Sequence, residues 1–427
     1  MPELPFLTTY DPPGSSEGTL DPLGLYQIAD QLAIRLVPAI RERMQRVRFL
    51  TAMAVGGLVT EGLEGDPEQL DIQPFLVWEW LVVEAFIRTF GEESDLRGVP
   101  GTHVTRRALD DYGYLDHRSY LKTPRIFGFH GVYKRLAIHL HLADLHLAPR
   151  PEAERLVDAW ARDTGHGGLA RCRPVLEKWR RAVDRSLSVD PPRTRPAWKG
   201  EDWAELAEAF VPSSIGPREK RYLRESLHAS DDRTLGALPD IWRLQSEFED
   251  DYTEEELHKR LAEQAPRYGP ILEAIREYEL FCRSLHDGFD ILRAEAGAAD
   301  AMGFQISTIG KDKDFVTSLE GLDRRYETVR RRLADIDLRI AGLFDERFSD
   351  FAEPMSPDQS AILMCEHHEK IQKSKSAGGK LAWFDRLGPD QIYMRHRYRP
   401  SRRNIEPTRF VHEYRGNPIR RFYLDLT

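Results

Sequence analysis

Between Lys370 and Thr427 the chain carries 14 Lys and Arg against 5 Asp and Glu, and three of these cations, Arg395, Arg397 and Arg399, occupy every second position. Alternation is the period of a β-strand, which would present the three guanidinium groups on one face at intervals of roughly 7 Å, a spacing suited to successive phosphates of a nucleic-acid strand. Arg402 and Arg403 follow in an expected turn. Lys373, Lys375 and Lys380 flank a Ser/Gly-rich loop just upstream. Tyr393, Tyr398, Tyr414 and Tyr423 are interleaved with the cations, as stacking on unpaired bases requires. This stretch is the candidate nucleic-acid interface, for DNA or RNA.

The rest of the chain holds 47 basic and 65 acidic side chains, so a tail of +9 follows a body of −18. The anionic partner of the tail is therefore either a nucleic acid or the protein's own acidic body. Arg outnumbers Lys by 49 to 12, a bias that genomic base composition can produce. Four of the 12 Lys nevertheless fall between Lys370 and Lys380, and that bias does not account for the cluster.

Other chemistry is sparsely signalled. Gly378-Gly379-Lys380 is followed by Leu381 and lacks the spacing of a phosphate-binding loop, so no hydroxyl is offered to a metal there. Neither a dinucleotide fingerprint nor a Gly-x-Ser-x-Gly elbow occurs. Cys365, His368 and Glu369 share one face if helical, and a thiolate, an imidazole and a carboxylate could begin a metal site; a second ligand pair is missing. His139, His141, Asp144 and His146 form another local cluster, more simply read as core and surface residues. Pro357-Asp358 and Pro389-Asp390 each resemble the first half of a nuclease motif, but neither is followed by Glu-x-Lys on a strand. No cofactor is expected and no catalytic residue stands out.

The elements that must position these groups are mostly helical. At 427 residues with 41% hydrophobic and 31% charged content the chain has the composition of a multi-domain globular protein. Three widely spaced cysteines argue against a disulfide framework. No signal-peptide pattern or membrane span is evident, so a cytoplasmic protein without membrane contact is expected. A helical N-terminal domain over residues 1–150 contains a nearly apolar helix at 72–90 and short helices over 102–147 that would suit a helix-turn-helix or an ordinary helical subdomain. A helical extension over 151–189 leads to a Pro-rich linker at 190–200. A helical domain at 201–349 follows.

Within it Ile271, Ile275, Tyr278, Cys282, Leu285, Phe289 and Leu292 repeat at 4 and 3, and Phe315 to Leu343 continue the alternation. This predicts a coiled-coil-like antiparallel pair over 268–294 and 315–348, with a flexible Gly/Ala-rich tip, the second helix being ~43 Å long at 1.5 Å per residue. Such an arm could dock protein partners, pack on the rest of the chain or form a homo-oligomer. Residues 358–427 read as a small basic α+β domain, in which alternating Phe422, Leu424 and Leu426 suggest another strand. The fold class is thus mainly α, multi-domain, with a helical pair and a basic α+β end.

Asp21-Pro22-Leu23-Gly24-Leu25, Arg46-Val47-Arg48-Phe49-Leu50 and Gly131-Val132-Tyr133-Lys134-Arg135-Leu136 resemble the N-terminal pattern of uncharacterised bacterial proteins encoded among phage-defence genes, over about the first 150 residues. The resemblance implies a subunit of a multi-gene antiviral system working with DNA-directed partners, and supplies no catalytic residue. The functional expectation is a non-catalytic nucleic-acid-binding or assembly subunit. A metal-dependent nuclease and a pure protein scaffold are the alternatives.

Overall fold

The computed structural model describes residues 21–65, 72–91, 96, 98–228, 235–248, 252–299, 302–375, 379–400 and 409–427. The fold is mainly α, with 18 helices among the described residues and one small antiparallel sheet. Two compact units divide the chain: Met1–Leu36 with Asp251–Tyr414, and Val37–Asp250 with Arg415–Thr427. No helix among the described residues is long and apolar enough to cross a membrane.

The second unit is built around the Pro74–Phe90 helix, which starts with Pro at its first turn and ends at Gly91 with φ +59°. Residues 74–87 are all buried, as an apolar sequence on every face requires. The Phe49–Thr60, Thr102–Tyr112, Leu169–Leu187 and Gly200–Ala209 helices pack against it. Trp78, Trp160, Trp179 and Phe210 form the aromatic centre, with the Trp160 and Phe210 rings stacked at 5.7 Å. The expected linker at 190–200 is instead packed into this unit. The Thr194 N–H donates to Leu115 O (2.9 Å) and its hydroxyl accepts from Leu115 N (2.9 Å), so the proline-rich segment is held by backbone pairing. The final Gly416–Leu426 segment is a helix, not a strand. Pro418, Ile419, Phe422 and Leu426 are buried along one side.

The first unit is organised by the Gly269–Ala298 helix. Its expected seam is buried from Ile275 onward: Ile275, Tyr278, Cys282, Leu285, Phe289 and Leu292 are covered, while Ile271 is half-buried. The Leu322–Ile336 helix lies antiparallel beside it, since Arg332 meets Glu273 while Arg325 meets Ser284. The second half of the expected pair is broken into three helices, Lys313–Ser318, Leu322–Ile336 and Leu338–Phe348. Gly321, at φ +71°, opens the middle one, and Asp337 caps the last by accepting from Arg339 N. A single long second helix is therefore excluded. Leu338–Phe348 folds back so that Phe344 and Phe348 pack on Phe281 at 5.1 and 5.4 Å.

The expected flexible tip is likewise structured. β1 (Phe304–Gln305), β2 (Phe384–Gly388) and β3 (Gln391–Met394) form a sheet in the order β1-β3-β2, with Phe304 opposite Ile392 and Phe384 opposite Met394. β3 stops at Met394 and His396–Tyr398 turn into a 3₁₀ segment. The three alternating arginines therefore do not share a strand face.

Candidate nucleic-acid interface and two buried carboxylate centres

The Pro357–Ser374 helix begins with a capping box, Ser356 and Gln359 bonding reciprocally, and brings the basic segment to the edge of the sheet. A cleft of about 670 Å³ opens there, lined by Glu369, Lys373, Lys380, Asp385, Arg386 and Arg395 together with Gly379, Leu381, Ala382 and Phe384. Arg386 forms a two-pronged pair with Glu369 (3.0 and 3.3 Å) and also donates to Pro389 O. Arg395 is buried and donates twice to Asp385 Oδ1 (3.2 and 2.7 Å). The side-chain ammonium groups of Lys373 and Lys380 have no hydrogen-bond or ion-pair partner among the described residues, while the Lys380 N–H donates to Gln372 O (2.9 Å). Four cations and two carboxylates leave the cleft two charges positive.

The other expected contacts are used internally. Lys375 donates to Asp21 O. Arg399 donates to Met394 O (3.1 Å) and lies over the Tyr393 ring. Arg397 donates to the Tyr398 hydroxyl (2.6 Å). Tyr398 is stacked on Trp383 at 4.8 Å and 5° between planes, Tyr414 is fully buried, and Tyr423 packs on Trp242. None of these three rings is placed to stack on a base. Arg402 and Arg403 lie outside the described residues.

The Cys365, His368 and Glu369 grouping does not converge as metal ligands. Both ring nitrogens of His368 are occupied: Nδ1 lies 2.9 Å from Pro22 O, and Nε2 accepts from Trp383 N (3.0 Å). Glu369 is paired with Arg386, and burial pushes the Cys365 thiol up to about 12. Burial also holds His367 at about 4 and His368 at about 3. The His139 to His146 segment is not one helix. Its helix ends at His139, and Asp144 caps a turn by accepting from His146 N (2.7 Å) and Ala148 N (3.0 Å). Asp390, of the second Pro-Asp pair, accepts from Ser307 N and its hydroxyl, tying the sheet together.

The first two segments on which the resemblance rests, at 21–25 and 46–50, are structural as well. The Pro22 and Leu23 carbonyls face His368 and His367, and Gly24 O accepts from Arg347 (2.7 Å). In the other unit Arg46 pairs with Asp425 (2.9 Å). Arg48, 2% exposed, donates to Val211 O and Ala209 O and lies 3.5 Å from the buried Glu219.

Two buried carboxylate centres escaped the sequence reading. In the first unit, Glu279 Oε1 meets His412 Nδ1 (2.7 Å) and accepts from the Tyr414 hydroxyl (2.6 Å), while Oε2 accepts from Val411 N and His412 N. Burial alone would raise this carboxyl. His412, the Tyr414 hydroxyl and the backbone donor outweigh burial and hold it below its usual value. One oxygen of Glu279, Cys282 Sγ and a ring nitrogen of His412 lie within 4.8 Å of one another, but the carboxylate and imidazole are already spent on each other.

In the second unit, the fully buried Glu79 accepts from the Tyr120 hydroxyl (2.8 Å) and from His130 N (2.8 Å), and its Oε2 lies 2.7 Å from His130 Nδ1. Burial, then the neighbouring Glu79 charge, raise Tyr120 well above its ordinary range, so it remains a donor. Gly128 makes the approach possible, because a Cβ there would sit 2.0 Å from Glu79 Oε1. Gly131 allows the next turn to pass Arg125, whose carbonyl carbon would lie 2.3 Å from an added Cβ. The sequence signal was Glu79 itself, a carboxylate inside an apolar helix, which must find donors at a distance.

No family model, curated protein or solved structure matches this chain.

Proposed function

We propose that this protein binds nucleic acid as part of a larger assembly, through phosphate contacts made in the cleft at the end of the Pro357–Ser374 helix. The observation that carries the reading is that Lys373 and Lys380 line one cleft with Arg386 and Arg395 and that their ammonium groups have no protein partner among the described residues. An ammonium group that is not ion-paired to a carboxylate is free to exchange its counterions for phosphate oxygens. Arg386 and Arg395, held by Glu369 and Asp385, are fixed guanidinium walls rather than mobile charges. The pairing of those two arginines narrows the interface to fewer contacts than the tail's charge suggested. The resemblance to proteins encoded among phage-defence genes suggests an antiviral setting for the assembly.

Truncation at Pro389 is a poor test, because it removes β3 and the 411–414 segment that satisfies Glu279. Charge reversal is cleaner. Lys373→Glu with Lys380→Glu should weaken binding to labelled single- or double-stranded oligonucleotides and reduce the slope of log K against log salt by about 1.4–1.8, at ~0.7–0.9 per phosphate contact. Unchanged affinity and slope would remove the cleft as the interface.

A further inference from the structure

The cleft at the end of the Pro357–Ser374 helix lies beside the point where the described chain begins. Gln372 joins the two places: its side-chain amide donates to Pro22 O (3.4 Å), and its carbonyl accepts from Lys380 N (2.9 Å). Lys375 donates to Asp21 O nearby. All of these residues belong to one compact unit. We infer that the ammonium groups of Lys373 and Lys380 take residues 1–20 of the same chain as a tethered anionic ligand, which nucleic acid must displace. The displacement rests on the binding role proposed above, whereas the occupancy does not.

Residues 1–20 lie outside the described residues, and their sequence supplies what the cleft lacks. Glu3, Asp11 and Glu17 occur there with no Lys, Arg or His. The sign complements a cleft that is two charges positive. Carboxylates closer to the cleft are already committed. Asp21 accepts from Leu25 N (2.8 Å) and Tyr26 N (3.1 Å), Glu369 holds Arg386 and Asp385 holds Arg395. Positions 376–378, also outside the described residues, are Ser, Ala and Gly and bring no charge. Glu17 is thus the first carboxylate before Asp21.

Distance permits the contact. A chain spans at most ~3.6 Å per residue, so Glu17, four residues before Asp21, can reach about 14 Å from it and Asp11 about 36 Å. From Pro22 the path to Lys380 crosses one residue, Gln372. Burial holds the Lys375 ammonium below its ordinary value, and the Asp21 and Lys380 charges act on it in opposite senses, so the three groups are neighbours. A short tether keeps its ligand at roughly millimolar effective concentration. Exposed ion pairs too weak to hold a separate peptide are populated under that condition.

The test uses the full chain. Carbodiimide joins an amine to a carboxylate in direct contact, and without nucleic acid it should link Lys373 or Lys380 to Glu17 or Asp11, the positions being read by peptide mass spectrometry. Excess oligonucleotide should suppress the link. The variant Glu3→Gln, Asp11→Asn, Glu17→Gln should bind a labelled oligonucleotide about 3- to 10-fold more tightly at low salt, the effect of about two exposed ion pairs, and the gain should shrink as salt is raised. In a Lys373→Glu, Lys380→Glu background the same three substitutions should no longer raise affinity. No link to Glu3, Asp11 or Glu17, or links from these lysines only to Glu406 or to carboxylates of the other unit, would overturn the occupancy. Unchanged affinity in the neutralised variant, or an equal gain in the charge-reversed background, would overturn the displacement. If no protein of the series binds oligonucleotide, the binding role itself fails, and the cross-link alone decides the occupancy.

Discussion

His368 offers a perturbation whose size follows from its surroundings. The ring is fully buried against Phe289, Trp383 and Phe384, with Nδ1 on Pro22 O and Nε2 accepting from Trp383 N. This arrangement is satisfied only by the neutral ring carrying its proton on Nδ1. A second proton on Nε2 would face the Trp383 N–H. Burial, with the nearby Lys375, His367 and Arg293 charges, outweighs the Pro22 carbonyl and holds the group at about 3 from an ordinary 6.5. Because the folded value is depressed, the unfolded chain takes up a proton below pH 6.5 while the native state does not. Stability is therefore complete above about 6.5 and falls with pH until the native ring titrates near 3. At pH 4.5, two units below the unfolded value, the loss is about 3 kcal/mol at 1.36 kcal/mol per unit.

The comparison is wild type against His368→Gln, which does not titrate and carries a constant penalty of ~1–3 kcal/mol from a poorly met partner. Since the chain has two compact units, the stability of the unit concerned is best followed by amide exchange in the Pro357–Ser374 helix rather than by a whole-chain melt. Wild type should lose about 3 kcal/mol more than the variant between pH 7 and 4.5. Imidazole ¹⁵N shifts should show a neutral Nδ1–H ring at pH 5. An equal pH slope in the two proteins, or a ring that charges near 6.5, would refute the reasoning.

Other outcomes follow from the same structure. Cys172, Cys282 and Cys365 are all buried, and burial pushes Cys172 to about 11 and Cys365 to about 12. A thiol reagent at pH 7.5 should therefore label none of them in the native protein and all three after denaturation. Glu79→Ala strands the Tyr120 hydroxyl and two His130 donors and should cost ~3–5 kcal/mol by denaturant titration. Gly128→Ala should disturb the same centre, because its Cβ overlaps Glu79 Oε1, and is checked by loss of the downfield Tyr120 and His130 proton signals. Arg48→Ala leaves Glu219 buried with only Thr51 as a side-chain donor and should destabilise by ~3–5 kcal/mol.

Periodicity was legible where one helix packs one apolar face on a neighbour. The seam from Ile275 to Leu292 is buried as its spacing requires, and the apolar run at 74–87 is a central helix. Breaks were harder to see. The heptad rhythm passes through Gly321 and Asp337 without losing phase, yet a left-handed glycine and a capping carboxylate redirect the chain. At the C-terminus the apolar pattern is ambiguous. Phe422, Leu424 and Leu426 alternate, but Ile419, Phe422 and Leu426 also follow the helical period, and packing selects the latter, leaving Leu424 exposed. The candidate sites were hidden for a different reason: Glu279 and His412 are 133 residues apart, and Glu79 and His130 are 51 apart. Only folding shows which donor answers a buried carboxylate, although the carboxylate within an apolar helix already announces that one must.

The same logic reinterprets the charge of the tail. A net charge of +9 over 58 residues suggested an extended phosphate track, but charge in a sequence does not distinguish a cation held by its own protein from one available to a ligand. Arg386 and Arg395 are matched to Glu369 and Asp385, and Lys375 and Arg399 to backbone carbonyls. Planar guanidinium groups are suited to these fixed, forked contacts, whereas the compact ammonium groups of Lys373 and Lys380 are left to the cleft. Arginine is the common cation throughout this chain and here largely serves the fold. Lysine is the rarer choice, and of the four clustered lysines Lys370 pairs with Asp350 and Lys375 with Asp21 O, so Lys373 and Lys380 are the two left to the cleft.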